Sequence, residues 1–350
     1  MLIIDTNYFF NRSIAVTPYI ENEGYIYDAI KTALTTIVSL ISYHNKNDDE
    51  VVLAIDDRTK SYWRKTKYPL YKYNRISPFI SKSSDIPMKE QLLNEWFKVL
   101  EALKGSKFKV IEVKGCEGDD IISALVKAQG EHLVLSPDKD FNQLVSESVT
   151  IYDPIHDIYK SEDNTLGSGI SEEFIISGDN SDNVPQIFAY LKPSRSFTAW
   201  FEKKHKMKLT EELYAKLMVE FPQINLDYKL DLYSRYYGNI EFYEDRKMDF
   251  KEIFFEKEYD VAHFPSPYDV GYGKNLKNDY FLSLSRQEFL VKHPLLRYNF
   301  VRNKKLMDLS LIPLPYVRAI LEEYKRPSLG HKRELKEMIK KYELSLLDFI

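Results

Sequence analysis

The sequence predicts an α/β fold built on a parallel, doubly wound sheet. Five short apolar runs have the length and composition of buried strands: LIID (2–5), VVLAID (51–56), KVIEV (109–113), HLVLS (132–136) and VTIYD (149–153). Helical patterns lie between them at about 25–43, 88–104 and 118–129. Because strand and helix alternate, the strands should lie parallel, and such sheets bind ligands beyond the carboxyl ends of their strands.

Acidic residues recur where these strands end. Asp5 and Asp56 close the first two strands, and other carboxylates follow the third and fourth strands within a few residues. The predicted rim set is Asp5, Asp56, Glu117, Asp119, Asp120, Asp138 and Asp140. Carboxylates in one cleft repel each other unless a cation joins them, and Mg²⁺ prefers oxygen ligands of this kind. The pattern therefore indicates a divalent metal site, and paired ions commonly cut phosphodiesters.

Each acidic residue has a simpler explanation when it is taken alone. An aspartate at a strand end is often a turn former, and residues 117–120 could cap the N-terminus of a helix. Asp138 and Asp140 could lie in a solvated loop. Capping, however, does not need acids at the same end of nearly every strand, so the joint pattern favours a functional cluster.

The segment GDNSDN (178–183) adds two more carboxylates, Asp179 and Asp182. They are three residues apart, so on one helical turn they face the same way and can hold an ion or its waters.

Composition narrows the class of protein. The chain has 350 residues, of which 29% are charged and 44% hydrophobic, and this suits one large or two smaller globular domains. A single cysteine, Cys116, excludes a disulfide framework and suits a reducing cytoplasm. The start has no secretory signal pattern, and no run approaches the roughly 20 apolar residues of a membrane span. The net charge of −4 does not exclude nucleic acid, because the basic residues are segregated from the acidic ones.

One such basic segment lies between Asp57 and Asp85, where no acidic residue occurs. Its basic residues are Arg58, Lys60, Arg64, Lys65, Lys67, Lys72, Arg75 and Lys82, and aromatic residues such as Tyr71 are interleaved with them. Basic side chains neutralise phosphates and aromatic rings stack on unpaired bases, so the segment favours a threaded or frayed nucleic-acid strand. The alternative is a solvated basic loop attached to the core by its aromatic residues.

Other chemistries find little support in the sequence. The seven histidines form no H-x-x-x-H spacing, and neither a Walker loop nor a G-x-S-x-G elbow is present. Cys116 adjoins the acidic cluster, where like charge disfavours a thiolate, so we expect a packed thiol.

Several ordered motifs carry a family resemblance. GDNSDNVP resembles the GD-x-x-DN-x-P signature of the flap endonuclease and 5′-nuclease family, CEGDD (116–120) its E-x-D-D segment, and SPDKDF its D-x-D-F segment. SYWRKTKYPLYKYNR (61–75) is similar to the arch-base segment that contains Y-K-x-N-R. Residues 311–342 are similar to the last helices of bacteriophage members with ribonuclease H activity. The resemblance covers about 1–190 and 305–350, and it does not extend to residues about 193–300.

The resemblance implies roles for individual residues. Asp5, Asp56, Glu117, Asp119, Asp120 and Asp138 would hold one Mg²⁺ ion, while Asp138, Asp140, Asp179 and Asp182 would hold a second or its waters; Mn²⁺ could substitute. Lys72 and Arg75 would steer the scissile phosphate, and Tyr71 would stack on a base. Arg58, Lys60, Arg64, Lys65 and Lys67 would add nucleic-acid contacts.

One departure from the family pattern concerns duplex binding. In cellular members the GD-x-x-DN-x-P segment continues into a glycine-rich turn that grips duplex phosphates through backbone amides. Residues 184–197 contain no glycine, so amides cannot approach phosphate as closely there. We expect duplex binding to rest instead on Lys192, Arg195 and the basic residues of the last helices.

These observations predict a catalytic domain at 1–185, with a basic arch at about 58–90, and a mostly helical domain at 186–350. The implied activity is Mg²⁺-dependent 5′→3′ exonuclease and 5′-flap cleavage of branched or 5′-ended DNA and RNA·DNA hybrid. The implied setting is primer removal in phage lagging-strand replication in the host cytoplasm, alongside a single-stranded-DNA-binding protein. The alternatives are a PIN-like single-strand ribonuclease and a catalytically silent subunit that binds branched DNA. Compact PIN domains lack the basic insertion and GDNSDN, and the complete acidic set argues against a silent subunit.

The C-terminal tail suggests a partner contact. From about Lys332, four residues recur at core spacing and are explained by packing: Leu335, Ile339, Tyr342 and Leu346. Leu347, Phe349 and Ile350 fall beyond or off that stripe, and SLLDFI (345–350) resembles tails by which phage replication proteins bind the sliding clamp. The predicted partner-binding residues are Leu346, Leu347, Phe349 and Ile350; alternatively, the tail folds back on its own domain.

Overall fold

A computed structural model describes most of the chain. The described residues are 1–18, 23–45, 49–68, 71–72, 86–127, 130–164, 169–193, 195–210, 213–214, 268–272, 274–283, 285–327 and 332–345. Within these ranges no helix combines the length and the apolar character that crossing a membrane requires.

A six-stranded sheet forms the centre of the fold, in the order β3-β2-β1-β4-β5-β6. Its strands are β1 (Leu2–Asp5), β2 (Val51–Ile55), β3 (Lys109–Glu112), β4 (His132–Leu135), β5 (Val149–Asp153) and β6 (Ile158–Lys160). The first five are parallel and coincide with the predicted runs to within one residue, which confirms the fold class. The short edge strand β6, which was not predicted, pairs antiparallel with β5.

The described residues also form a series of helices. They are α1 (Thr6–Val16), α2 (Glu23–His44), α3 (Trp63–Lys67), α4 (Ile86–Leu103), α5 (Gly118–Leu125), α6 (Glu172–Ser177), α7 (Arg195–His205), α8 (Lys274–Leu282), α9 (Arg286–Lys292), α10 (Pro294–Met307), α11 (Leu314–Lys325) and α12 (Lys332–Lys341). The ends of α2 and α4 lie within two residues of prediction. Helix α5 ends four residues earlier than predicted, where the N–H of Val126 closes the last turn on the carbonyl of Ile122.

The strands are buried because apolar residues cover both faces of the sheet. Leu2 and Ile4 of β1 belong to one hydrophobic cluster, to which α2 and α4 contribute. Ile3 belongs to another, to which α5 contributes. Successive strand residues point to opposite faces, so two-sided burial explains why the strands are continuous apolar runs.

The strand order reverses between β1 and β4. From β1 the chain adds β2 and β3 on one side, and β4 and β5 lie on the other. In open parallel sheets, ligands bind in the crevice at this reversal, outside the carboxyl ends of the strands. Asp5 ends β1 and Ser136 directly follows β4, so residues of the predicted rim flank this crevice.

The chain forms two compact units: residues 1–66, 87–171 and 305–350 make the first, and residues 67–86 and 172–304 make the second. This division differs from the predicted boundary at residue 185. The C-terminal helices pack with the sheet, where Ile320 of α11 joins one cluster and Leu335, Ile339 and Tyr342 join the other. Residues 346–350 lie outside the described ranges, so the tail contact stays a prediction.

The second unit is mostly helical, as expected, with an antiparallel pair formed by β7 (Ala189–Pro193) and β8 (Tyr268–Tyr272). Its described core contains Ile176, Ile187, Phe188, Tyr280, Leu290 and Leu296. Residues 215–267 lie outside the described ranges.

Candidate active site

Asp5 lies at the end of β1 and is only 8% exposed. One carboxylate oxygen accepts the amide of Tyr8 at 3.2 Å, and the other accepts the hydroxyl of Ser136 at 2.9 Å. Burial raises the pKa of Asp5 to about 7; the two hydrogen bonds oppose this rise, and the charges of Asp56 and Asp138 add to it. The structure therefore brings Asp5, Asp56 and Asp138 close enough for their charges to interact.

Ser136, which was not among the predicted site residues, joins the carboxylate of Asp5 to the backbone of Asp138. Its buried Oγ donates to Asp5 and accepts the amide of Asp138 at 3.1 Å. Asp138 then caps the short 3₁₀ helix Lys139–Leu144 by accepting the amide of Asp140 at 2.9 Å. The available signal was a small hydroxyl residue at the end of β4, two positions before an acid. The serine sets the orientation of both acids at the crevice.

Asp56 follows β2 directly and faces the start of α5. Its Oδ1 accepts the amide of Gly118 at 2.7 Å, and Tyr62 donates its hydroxyl to Oδ2 at 3.3 Å. A Cβ on Gly118 would lie only 3.3 Å from that Oδ1, so a glycine allows the close approach. Burial raises the pKa of Tyr62, and the charges of Asp56 and Glu117 raise it further, so the phenol stays protonated and donates.

A buried arginine joins Glu117 and Asp120. Arg64 is 1% exposed, and its guanidinium lies 3.1 Å from Glu117 and 2.8 Å from Asp120. Its Nε donates to the carbonyl of Leu306 at 2.8 Å, and the indole N–H of Trp63 donates to Asp120 at 3.1 Å. The guanidinium is enclosed and cannot reach a phosphate from solvent. The prediction that Arg64 contacts nucleic acid is therefore wrong.

Charge explains why an arginine is buried at this position. Two carboxylates with side-chain exposures of 3% and 0% would be costly to ionise without a cation or donors nearby. Asp120 also accepts the amide of Glu117 at 3.0 Å, so the capping interpretation holds for Asp120. Asp119, between them, is half-buried. Arg64 thus offsets one of the two negative charges of Glu117 and Asp120 beneath the rim.

Cys116 is buried next to Glu117 and Asp120, as expected of a packed thiol. Burial raises the pKa of the thiol, and the charge of Asp120 raises it further while Arg64 lowers it. The cysteine therefore stays neutral and contributes to the core beneath α5.

Asp179 and Asp182 belong to the second unit, where they lie on a tight loop after α6 rather than on a helical turn. The hydroxyl and amide of Ser181 donate to Asp179 at 2.6 and 2.7 Å. Asp182 accepts the hydroxyl of Tyr71 at 2.8 Å, and the Nζ of Lys72 lies 3.7 Å from the same oxygen. The structure thus brings Tyr71 and Lys72, both predicted to contact substrate, against a predicted metal ligand.

The remaining basic residues differ in how they are held. Arg58 is ion-paired with Glu101, and with Glu112 at 2.7 Å, and its guanidinium stacks on Phe97. These ion pairs restrain the side chain. We therefore revise its role: Arg58 holds the basic segment in place and does not contact phosphate. The ammonium of Lys65 donates to the carbonyl of Lys60 at 2.9 Å.

Lys60 and Lys67 are exposed, as a contact with a polyanion requires. Lys192 lies in β7 and Arg195 begins α7, and only their backbone is described. Arg75 lies outside the described residues.

The donor chemistry fits a hard divalent cation that keeps part of its water. No three Asp, Glu, His or Cys side chains within the described ranges converge closely enough to hold an ion between them. The charges of Asp56 and Asp138 nevertheless add to the raised pKa of Asp5, which shows that the three carboxylates repel each other. A bound cation would relieve that repulsion. Mg²⁺ commonly binds through one or two carboxylates and several waters, so this set suits it.

Comparison with known proteins gives a consistent family. Residues 1–174 match the family model described as 5′-3′ exonuclease, N-terminal resolvase-like domain. DNA polymerase I of Borreliella burgdorferi is 29% identical over 182 residues, covering 49% of this chain and 19% of the polymerase. The 5′-3′ exonuclease of Aquifex aeolicus is 30% identical over 53% of this chain and 64% of the relative. Flap endonuclease Xni of Shewanella loihica is 28% identical over 53% of this chain and 70% of the relative.

A solved structure of the T5 D15 protein, co-crystallized with metal ions, aligns with 97% of this chain and 98% of that chain, at 17% identity and a TM-score of 0.48. This similarity is too weak to transfer residue roles. The family model, by contrast, spans the whole parallel sheet and every rim acid of the first unit. The relatives with similar sequences include 5′-3′ exonucleases and a flap endonuclease. Residues 1–174 of this chain thus belong to the family described as 5′-3′ exonuclease, N-terminal resolvase-like domain.

Proposed function

We propose that this protein is a divalent-metal-dependent 5′ nuclease, with 5′→3′ exonuclease and 5′-flap endonuclease activity. The observation that carries the proposal is the set of Asp5, Asp56 and Asp138 at the reversal of the sheet: Asp5 is buried, Asp56 is half-buried and Asp138 is exposed, and the pKa of Asp5 is raised to about 7. Such a cluster is costly unless a cation is bound, and the family supplies the class of reaction.

The residues that would hold Mg²⁺ are Asp5, Asp56, Asp119 and Asp138, with Glu117, Asp120 and Asp140 acting on them or through water. Asp179 and Asp182 would serve a second ion or its waters. When bound, such ions activate water for in-line attack on phosphorus and stabilise the leaving oxygen.

The chain's own residues orient this set. Ser136 holds the carboxylate of Asp5 and the backbone of Asp138, and Gly118 and Tyr62 hold Asp56. Arg64 offsets part of the charge of the carboxylates beneath them. Tyr71 and Lys72 lie at Asp182, and this supports a role for the Lys72 ammonium in positioning the scissile phosphate.

The finer proposal concerns the substrate and its setting. The ordered motifs and the basic segment support action on branched or 5′-ended DNA and on RNA·DNA hybrid, with removal of RNA primers in phage lagging-strand replication. We propose Lys60, Lys65 and Lys67 as phosphate contacts, with Lys192 and Arg195 on the duplex. A sliding clamp at the C-terminal tail, a single-stranded-DNA-binding protein and a cytoplasmic location complete the proposal.

The test is cleavage of 5′-labelled flap, nicked and RNA·DNA substrates with Mg²⁺ or with EDTA. We expect short 5′-phosphorylated products with Mg²⁺ and none with EDTA. Asp138→Asn should lower the rate by orders of magnitude while binding persists. Asp49→Asn is the matched control, since exposed Asp49 precedes β2 at the opposite edge of the sheet.

The alternatives give different results in the same assay. Cleavage of single-stranded RNA alone would favour a PIN-like ribonuclease, and tight binding without any cleavage would favour a silent branched-DNA-binding subunit. Wild-type turnover by Asp138→Asn would refute the assignment of the cluster.

A further inference from the structure

We infer that Asn303 is a positioning residue that holds the loop carrying Asp179 and Asp182 in the shape needed to serve a metal ion. This inference rests on the proposed function. Asn303 lies on α10, more than 100 residues along the chain from the loop, and no motif of the sequence includes it. It is fully buried in the second unit, with 0% exposure.

The side-chain amide of Asn303 bonds to both ends of the loop. Its Nδ2 donates to the carbonyl of Ile175 in α6 at 3.0 Å and to the carbonyl of Pro185 at 2.8 Å. A neutral amide nitrogen has two hydrogens, so each carbonyl receives one of them. One side chain therefore joins the residue before the loop to the residue after it, and it adds to the backbone hydrogen bond of 2.9 Å from Ile187 to Ile176.

Arg302 fixes the orientation of that amide. The guanidinium donates to Oδ1 of Asn303 through Nε at 3.1 Å and through Nη2 at 2.9 Å. Since the oxygen faces a cation, the nitrogen must face the carbonyls. The guanidinium also stacks on the ring of Tyr68, which lies in the basic aromatic segment close to Tyr71.

Between its fixed ends the loop is closed by its own backbone. Asp179 and Val184 exchange two hydrogen bonds, of 2.8 and 2.7 Å. Gly178 has φ of +69°, and a Cβ there would lie 2.3 Å from the carbonyl oxygen of Val184, so the turn has no room for a side chain. The loop thus has one compact shape, and its ends are the points where it could spread.

Spreading of the ends would move both acids. Asp182 is held by Tyr71, and its carbonyl accepts the amide of Lys72 at 2.8 Å, so displacement of the loop would also separate the acid from Lys72. Groups that act behind metal ligands typically contribute about 10- to 100-fold to metal affinity. Loss of the Asn303 amide should therefore appear in the dependence on metal concentration.

The experiment compares Asn303→Ala and Asn303→Asp with Asn299→Ala. Asn299 is the control: it is a buried asparagine on the same helix whose amide donates to the carbonyl of Ile187, beyond the loop, and whose Oδ1 accepts from Arg302 at 3.0 Å. Asn299→Ala therefore removes no donor to the loop ends, and Arg302 keeps both of its bonds to Asn303. We expect the Mg²⁺ concentration for half-maximal single-turnover flap cleavage to rise about tenfold or more in both Asn303 variants and less than about threefold in Asn299→Ala. Asp keeps the shape and the bonds to Arg302 but cannot donate to the carbonyls, so the two Asn303 variants should behave alike.

A readout independent of activity is Mn²⁺ binding, followed by electron paramagnetic resonance in the absence of DNA. The Asn303 variants should lose their weaker Mn²⁺ site or bind it at least about tenfold less tightly, while Asn299→Ala retains it. Equal Mg²⁺ midpoints and equal Mn²⁺ binding in Asn303→Ala and Asn299→Ala would overturn the inference. A wild-type protein that neither cleaves nor binds Mn²⁺ would instead overturn the proposed function.

If the Asn303 variants do not fold, hydrogen exchange of the wild-type protein tests whether the loop is held rigidly. The amides of Asp179 and Val184 should be protected to the same degree as those of the core of the second unit. Exchange at the rate of an open surface loop would overturn the inference.

Discussion

Replacing Arg64 with methionine should destabilise the metal-free protein far more than an ordinary loss of an ion pair. Methionine retains much of the length of the side chain but leaves Glu117 and Asp120 without their cation, at side-chain exposures of 3% and 0%. Removing one partner of a buried ion pair costs about 3–5 kcal/mol, because the remaining charge stays desolvated. We expect a decrease of that size in the free energy of unfolding at neutral pH.

The assay is urea denaturation in EDTA, with Arg58→Met as the matched control. The side chain of Arg58 is 28% exposed and also pairs with two glutamates, so its loss should cost about 1 kcal/mol or less. The cost of Arg64→Met should shrink as the pH falls, because protonation neutralises the abandoned carboxylates. The salt dependence of DNA binding should not change, since the buried guanidinium contacts no phosphate. Similar losses below about 1 kcal/mol for both variants would refute the reasoning.

Other predictions concern the rim, the second unit and the tail. Burial raises the pKa of Asp5 in the folded protein to about 7. The folded state therefore binds this proton more tightly than the unfolded chain, and the resulting stabilisation is complete below about pH 4 and lost as the pH rises through 7. Asp5→Asn should therefore stabilise the metal-free protein at pH 8 by up to about 4 kcal/mol in thermal or urea unfolding while abolishing cleavage, and unchanged stability at pH 8 would contradict this. Lys72→Ala should lower single-turnover cleavage by about a hundredfold and leave Mn²⁺ affinity unchanged; an effect only on the salt dependence of binding would exclude the positioning role. Deleting residues 345–350 should preserve cleavage of bare flaps but remove binding to the cognate clamp, and equal heats of clamp binding in calorimetry would refute the contact.

The parallel sheet and its acidic rim could be predicted because both depend on residues that are close together in the sequence. Strands covered on both faces are continuous apolar runs, and acids follow them directly. Burial of Arg64 could not be predicted in this way, since it shares a basic, acid-free segment with exposed Lys60 and Lys67. Only the approach of Glu117 and Asp120, more than 50 residues away, distinguishes it from them.

Long-range hydrogen bonds were equally hidden from the sequence. The contacts of Asn303 with residues 175 and 185 depend on how α10 packs, and an asparagine on a helix does not indicate which distant carbonyls it will contact. The packing of α11 and α12 with the sheet was not predicted for the same reason. The apolar stripe of α12 predicts that it packs, but the stripe does not say against which partner.

Burial of the only cysteine gives this protein a built-in reporter. Cys116 immediately precedes Glu117, and its neutral, enclosed thiol should resist alkylation while the fold around α5 is closed. Since no second thiol exists, the labelling rate measures the opening of a single place in the molecule. If divalent ions slow this labelling, or if removal of Arg64 accelerates it, the rate constant measures how rigid the acidic rim is.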